Sequence, residues 1–210
     1  MIFPREYAEW TDFWWEKAGD VSRRRVLLVG DSITRSYRDY VQAVYKLERI
    51  AVDKLCGSRC AGDPVWTAEL DLATGPLNGY RYEVIHLNNG LHGGCNDTKI
   101  ALDVYKQGVK DIVSVLRCNQ PQAKLVLVTS TPISERGDRS FVIDETLNGF
   151  VLERNAFLSE YAAENGFFLN DMYALVAGNS DFPQSDGVHF VPSAAEKLGH
   201  HVAEYIRTLL

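Results

Sequence analysis

Along this chain, short apolar runs of strand length alternate with longer segments whose apolar positions recur every three or four residues. "RVLLVG" (25–30), "IAVDKL" (50–55), "YEVIHLN" (82–88), "AKLVLVTS" (123–130) and the weaker "GFFLN" (166–170) read as strands. Between Thr98 and Cys118, Ala101, Val104, Gly108, Ile112 and Val115 fall on one helical face, with Asp103, Lys106 and Lys110 opposite. The segment from Asp144 repeats the pattern through Leu147, Phe150, Val151, Arg154, Leu158 and Tyr161, and stops at Gly166, a residue suited to a helix end. Pro192 opens a last helix that aligns Ala195, Leu198, Val202, Tyr205, Ile206 and Leu209, with His200 and His201 as surface or packing residues. Five strands separated by helices predict an α/β fold with a mostly parallel sheet covered on both faces. Near the start, Tyr7, Trp10, Trp14 and Lys17 also stand at helical spacing, which predicts a terminal helix docked through its aromatic stripe.

No repeat, low-complexity tract or Gly/Ser linker divides the 210 residues, so a single domain over 1–210 is expected. With 46% hydrophobic residues, the chain can bury a substantial core. Its 22 Lys and Arg against 28 Asp and Glu give a net charge of -6 and leave no basic surplus for a phosphate backbone. Nucleic acid is therefore not an expected partner. A membrane is not expected either, because no apolar stretch approaches the roughly 20 residues of a span. The N-terminal residues lack a basic start followed by an apolar signal core, and the chain reads as cytoplasmic. Of the four cysteines, Cys118 sits in a predicted helix and is expected to be buried. Cys56, Cys60 and Cys95 lie in loops with His92; these are zinc-ligand types, but at spacings that argue against a zinc site.

In parallel α/β sheets, ligands gather where strands end and loops lead into helices. After the first predicted strand comes Gly30-Asp31-Ser32. Asp31 or Ser32 could cap the next helix, and Ser32 could equally be a nucleophile. The second glycine of a G-x-S-x-G elbow is missing, and neither G-x-G-x-x-G nor the P-loop pattern occurs. A serine needs a base, and "QSDGVHF" supplies His189 with Asp186 three residues earlier to orient it. Oxyanion donors could come from the Gly62 amide in "CAGDPVW", and from Asn88 or Asn89 in "HLNNGLHG". His86, in the third strand, reads as a packing or supporting residue. The charged stretch 131–145 and the loops near Trp66 and His92 are candidate pocket walls.

Together, Gly30-Asp31-Ser32-Ile33, Gly62-Asp63, Asn88-Asn89 and Asp186-Gly187-Val188-His189 resemble the motif blocks of the SGNH hydrolases, the GDSL-like esterases and lipases. The resemblance spans nearly the whole chain. It implies a flavodoxin-like three-layer α/β/α sandwich with five parallel strands and no metal or organic cofactor. It further implies Ser32 as nucleophile, His189 as base and acid, Asp186 as orienter, and an oxyanion hole made by the Ser32 and Gly62 amides with the Asn88 side chain. One block departs from the family, since His86-Leu87-Asn88-Asn89 stands where Gly-x-Asn-Asp is usual; Asn88 fits by position and Asn89 competes with it. The expected reaction is hydrolysis of short acyl esters, foremost O-acetyl groups on carbohydrates. Lysophospholipid or thioester hydrolysis and acyl transfer by the same residues are alternatives, as is a noncatalytic anion-binding domain.

Overall fold

A computed structural model describes residues 3–94, 99–135 and 142–210. The elements run β1 (Thr11–Trp14), β2 (Arg24–Gly30), α1 (Ser32–Val44), β3 (Ile50–Gly57), α2 (Pro64–Thr74), β4 (Val84–Asn88), α3 (Leu102–Asn119), β5 (Lys124–Val128), α4 (Glu145–Asn165), β6 (Phe168–Asn170), α5 (Met172–Ala177) and α6 (Pro192–Arg207). One sheet carries all six strands in the order β1-β3-β2-β4-β5-β6. The five expected strands are its parallel part, and β1 adds a sixth, antiparallel to β3.

That sixth strand corrects the expected terminal helix. The aromatic stripe fits a helical period, but pairing of Thr11 with Gly57 through Trp14 with Lys54 satisfies the otherwise open edge of β3. Alternation then turns Phe13 toward the core, while Trp14 is half exposed beneath Arg38 and Lys54. Tyr7 is fully exposed.

Both faces of the central strands are buried, which explains their continuous apolar runs. Val26 and Leu28 of β2 pack with Tyr37 and Val41 of α1, Val176 of α5 and Leu198, Val202 and Ile206 of α6. Leu27 and Val29 face the other way, onto Trp66 and Leu70 of α2, Tyr105 and Ile112 of α3 and Leu158 of α4. The result is the expected three-layer arrangement. Cys118 departs from expectation, because the turn of α3 that carries it points outward and leaves it exposed. No described helix is long and apolar enough to cross a membrane.

The register places the loops that matter. Val29 lies opposite Leu87, so Gly30-Asp31 and Asn88-Asn89 leave the sheet side by side. Gly30 also pairs with Cys56, which brings the start of the loop after β3 to the other flank of Ser32.

Candidate active site

Ser32 is the first residue of α1, and the cap is Asp31. The Asp31 carboxylate accepts from the Ile33 amide at 2.9 Å, satisfying one of the leading N–H groups that no intrahelical carbonyl reaches. The Ser32 hydroxyl is thereby released from capping. Gly30 is required just before it, because a Cβ there would lie 2.0 Å from Thr34 Oγ1.

Ser32 Oγ lies 2.7 Å from His189 Nε2, and His189 Nδ1 lies 2.8 Å from Asp186 Oδ2. The two residues of the Asp-x-x-His pattern meet because Gly187 turns through φ +87, a left-handed conformation that favours glycine. Asp186 Oδ1 also accepts from the amides of Val188 and His189, at 2.9 and 2.7 Å. Partial burial alone would raise the Asp186 carboxyl, but the His189 ring, these two amides and the imidazole charge outweigh it and hold it down at about 2. The side chains of His189 and Asp186 are 48% and 52% exposed, so the group opens directly to solvent.

Strand alternation separates the two asparagines. Asn88 has the parity of Val84 and His86 and falls on the face covered by α1 and α6. Its Nδ2 donates to the carbonyls of Val128 and Thr129 at 3.3 and 3.2 Å. Asn89 turns the other way, where its Nδ2 donates to Arg59 O at 2.8 Å and its carbonyl accepts from Tyr105 Oη. The turn that follows is held by buried Arg154, which donates to the carbonyls of Gly90, His92 and Gly93.

Gly62, expected to offer its amide to the oxyanion, lies in the loop between β3 and α2. The loop there packs against α3, where a Cβ on Gly108 would come within 2.6 Å of Gly62 N and one on Gly62 would meet Val104 and Phe3. Trp66, expected near a pocket wall, is fully buried in the core. His92 pairs through Nδ1 with Glu6 Oε1 at 2.7 Å. Burial opposes protonation of His92, but the Glu6 hydrogen bond and the carboxylates of Asp31, Glu6 and Glu9 raise it overall. His86 is fully buried against Tyr37 and bonded to Asn170, and desolvation with the nearby His201 pushes it down to about 3. His201 in turn bonds Asn170, while His200 is exposed near Glu196. Cys56 and Cys60 are buried free thiols raised by desolvation, and Cys95 lies outside the described residues, as do residues 136–141 of the charged stretch.

Sequence reasoning missed two residues here. The Gln184 carboxamide reaches both Val188 O and the segment after β5, and Ser185 binds His189 O through its amide and hydroxyl. Each makes its contacts by folding back on a loop, which leaves no periodic signal.

No family model matches the sequence, and no curated protein matches it. Solved structures do match. An aryl esterase from M. smegmatis has a TM-score of 0.68 at 17% identity, over 89% of this chain and 100% of that one. A carbohydrate acetylesterase from Sinorhizobium meliloti has a TM-score of 0.66 at 16% identity, over 90% and 100%. A GDSL-like lipase from Bacteroides thetaiotaomicron has a TM-score of 0.66 at 15% identity, over 89% of each chain. With its strand order and paired helix layers, this chain has the fold of the SGNH, or GDSL-like, hydrolases.

Proposed function

We propose that the protein is a serine ester hydrolase acting on short acyl esters, foremost O-acetyl groups of carbohydrates. The observation that carries this reading is the continuous line from Ser32 Oγ through the His189 ring to the Asp186 carboxylate. In the proposed reaction Ser32 Oγ bonds to the carbonyl carbon while His189 Nε2 takes its proton. The tetrahedral oxyanion collapses, and the alcohol leaves with the proton from His189. Water then attacks the acyl-serine, giving its proton to His189, and the acid departs as Ser32 recovers its hydrogen. Asp186 stays ionised throughout, orienting the ring and stabilising the imidazolium.

Two donors are assigned to the oxyanion. The Ser32 amide stands at the start of α1, where no intrahelical carbonyl takes it. Asn88 is the second, and its present bonds are at the long end of the hydrogen-bond range, so redirecting the carboxamide gives up little. Gly62, in the loop packed against α3, is not assigned a donor role.

Two observations support the short-acyl preference. An apolar hollow of about 680 Å³ lies between Phe3, Pro64, Ile100 and Val104, and none of the triad residues is among its walls. The name of the Sinorhizobium neighbour agrees with an acetyl ester of a sugar. The anion-binding alternative is disfavoured by Asp31, whose carboxylate already occupies the helix start and repels a second anion.

The test is hydrolysis of acetyl, octanoyl and palmitoyl esters by the wild type and by Ser32→Ala. The reading expects the acetyl ester to be cut fastest and the variant to be inactive while folded. A preference for palmitoyl would transfer the assignment to lipid or thioester substrates, and wild-type turnover by Ser32→Ala would remove Ser32 from the mechanism.

A further inference from the structure

His189 sits on an irregular loop between α5 and α6, half exposed, with no strand or helix to hold it. Its position is nevertheless fixed at several points. The peptide joining Val188 to His189 is bonded at both polar atoms: the His189 N–H donates to Asp186 Oδ1 at 2.7 Å, and the Val188 carbonyl accepts from Gln184 Nε2 at 3.1 Å. The same Gln184 Nε2 donates to Pro132 O at 2.9 Å, and Gln184 Oε1 accepts from the Ser134 amide at 3.0 Å. Ser134 N also donates to Gly187 O at 2.8 Å. One carboxamide therefore ties the loop of the base to the segment that follows β5. The backbone adds to the tie, since Gln184 and Phe190 form an isolated antiparallel bridge around the turn.

We propose that Gln184 is a positioning residue for His189, holding the peptide before it and coupling the Asp186–His189 turn to Pro132–Ser134. This rests on the reading of His189 as the general base. The Asp186 bonds fix the ring and the N–H side of the peptide, but they are internal to a four-residue turn that could move as one body. Gln184 supplies a side-chain anchor from outside the turn, beside the Ser134–Gly187 backbone bond, and it uses its acceptor and both amide hydrogens to do so. Losing it leaves the Asp186–His189 bond intact in principle while freeing the turn to shift relative to Ser32. A displacement of about 1 Å at a reacting group can cost on the order of 100-fold in rate. The residue touches neither Ser32 nor the reacting atoms, so its effect runs through His189.

The experiment compares wild type, Gln184→Met and Gln184→Glu. Met keeps the length and removes all three hydrogen bonds; Glu keeps an acceptor for Ser134 and loses the donors to Pro132 and Val188. Two readings are taken on each: kcat and KM for p-nitrophenyl acetate, and the low-field proton resonance of the His189 Nδ1–H bonded to Asp186, assigned by its loss in His189→Ala. The expected result for Gln184→Met is a fall in kcat of tenfold or more, KM within about threefold of wild type, and a broadened or shifted resonance in a protein that still unfolds cooperatively. Wild-type kcat with an unchanged resonance in Gln184→Met would overturn the proposal. So would a loss that appears only as a raised KM. If Gln184→Met does not fold, Gln184→Glu carries the same two criteria. The resonance also separates the two levels of the argument: were the wild type to hydrolyse no ester, the His189 signal would still report whether Gln184 holds the turn.

Discussion

Asn88 and Asn89 are adjacent in the chain, yet their carboxamides serve opposite faces of the sheet: Asn88 donates to Val128 and Thr129, and Asn89 to Arg59 across the loop after β3. The period of two in a strand makes this unavoidable, because only one of two successive residues can share the face of α1. Asn88→Ala is expected to lower kcat by roughly 100- to 1,000-fold, the cost of about one oxyanion donor, with KM little changed. Asn89→Ala should act chiefly on stability, by releasing Arg59 O. Steady-state kinetics on a soluble acetyl ester, with thermal unfolding of both variants, distinguishes the pair.

Asp186, held down at about 2, stays ionised across the working range. The acid limb of kcat/KM should therefore report a single protonation, with rate falling tenfold per pH unit and a second proton entering only near pH 2. For stability the sign is the same: a carboxyl depressed by folding contributes above its unfolded value near 4, and the contribution is lost as pH falls through about 2. Asp186→Asn, which presents the wrong partner to Nδ1, should cost roughly 10⁴-fold in kcat. A pH–rate profile of both proteins checks the slope and the loss together.

His86 and His92 should drive stability in opposite directions with pH. Buried His86 resists protonation down to about 3, while the unfolded chain takes up a proton near 6.5. Between those values its contribution falls as pH falls, by about 1.4 kcal/mol per pH unit. His92 is raised in the folded state, so its pairing with Glu6 contributes fully below the unfolded value and is lost as pH rises through the folded one. Urea unfolding from pH 4 to 8 should show the acid-side slope flattened in His86→Gln and the alkaline-side loss reduced in Glu6→Gln.

At the opposite end of β2, Arg25 and Asp53 form a fully buried pair at 2.8 Å, with Tyr82 Oη and the Glu16 amide also bonded to the carboxylate. Removing one partner strands the other charge in the core. Asp53→Ala should cost about 3–5 kcal/mol in urea unfolding, and Arg25→Met with Asp53→Leu much less. Neither change touches Ser32 or His189, so the folded fraction should keep its turnover.

Much of this organisation was legible in the residues. Strands buried on both faces are mostly apolar, so β2, β3, β4 and β5 are legible, and the sheet in turn locates the loops that carry Ser32 and the asparagines. His189 was found because a serine demands a base, and Asp186 because the base demands an orienter. What failed to show depended on tertiary partners. The aromatic segment before Trp15 fits two periods, and only the open edge of β3 selects the strand. The close approach of Gly62 N to Gly108 of α3 is likewise a tertiary contact with no mark in the sequence. Cys118 is exposed where burial is expected, since which turn of a helix faces the sheet is set by docking. Gln184 gives no sign at all, because a side chain that bonds a carbonyl of its own loop and two backbone groups of the segment after β5 has no pattern in sequence.

The central claim is that Ser32 is a nucleophile activated by His189. Treating the folded protein with a fluorophosphonate and mapping the adduct by mass spectrometry tests it most directly. A single stoichiometric adduct on Ser32 is expected, strongly slowed in His189→Ala and absent in Ser32→Ala. A folded protein that stays unlabelled, or one labelled at Ser32 at the same rate without His189, would contradict it.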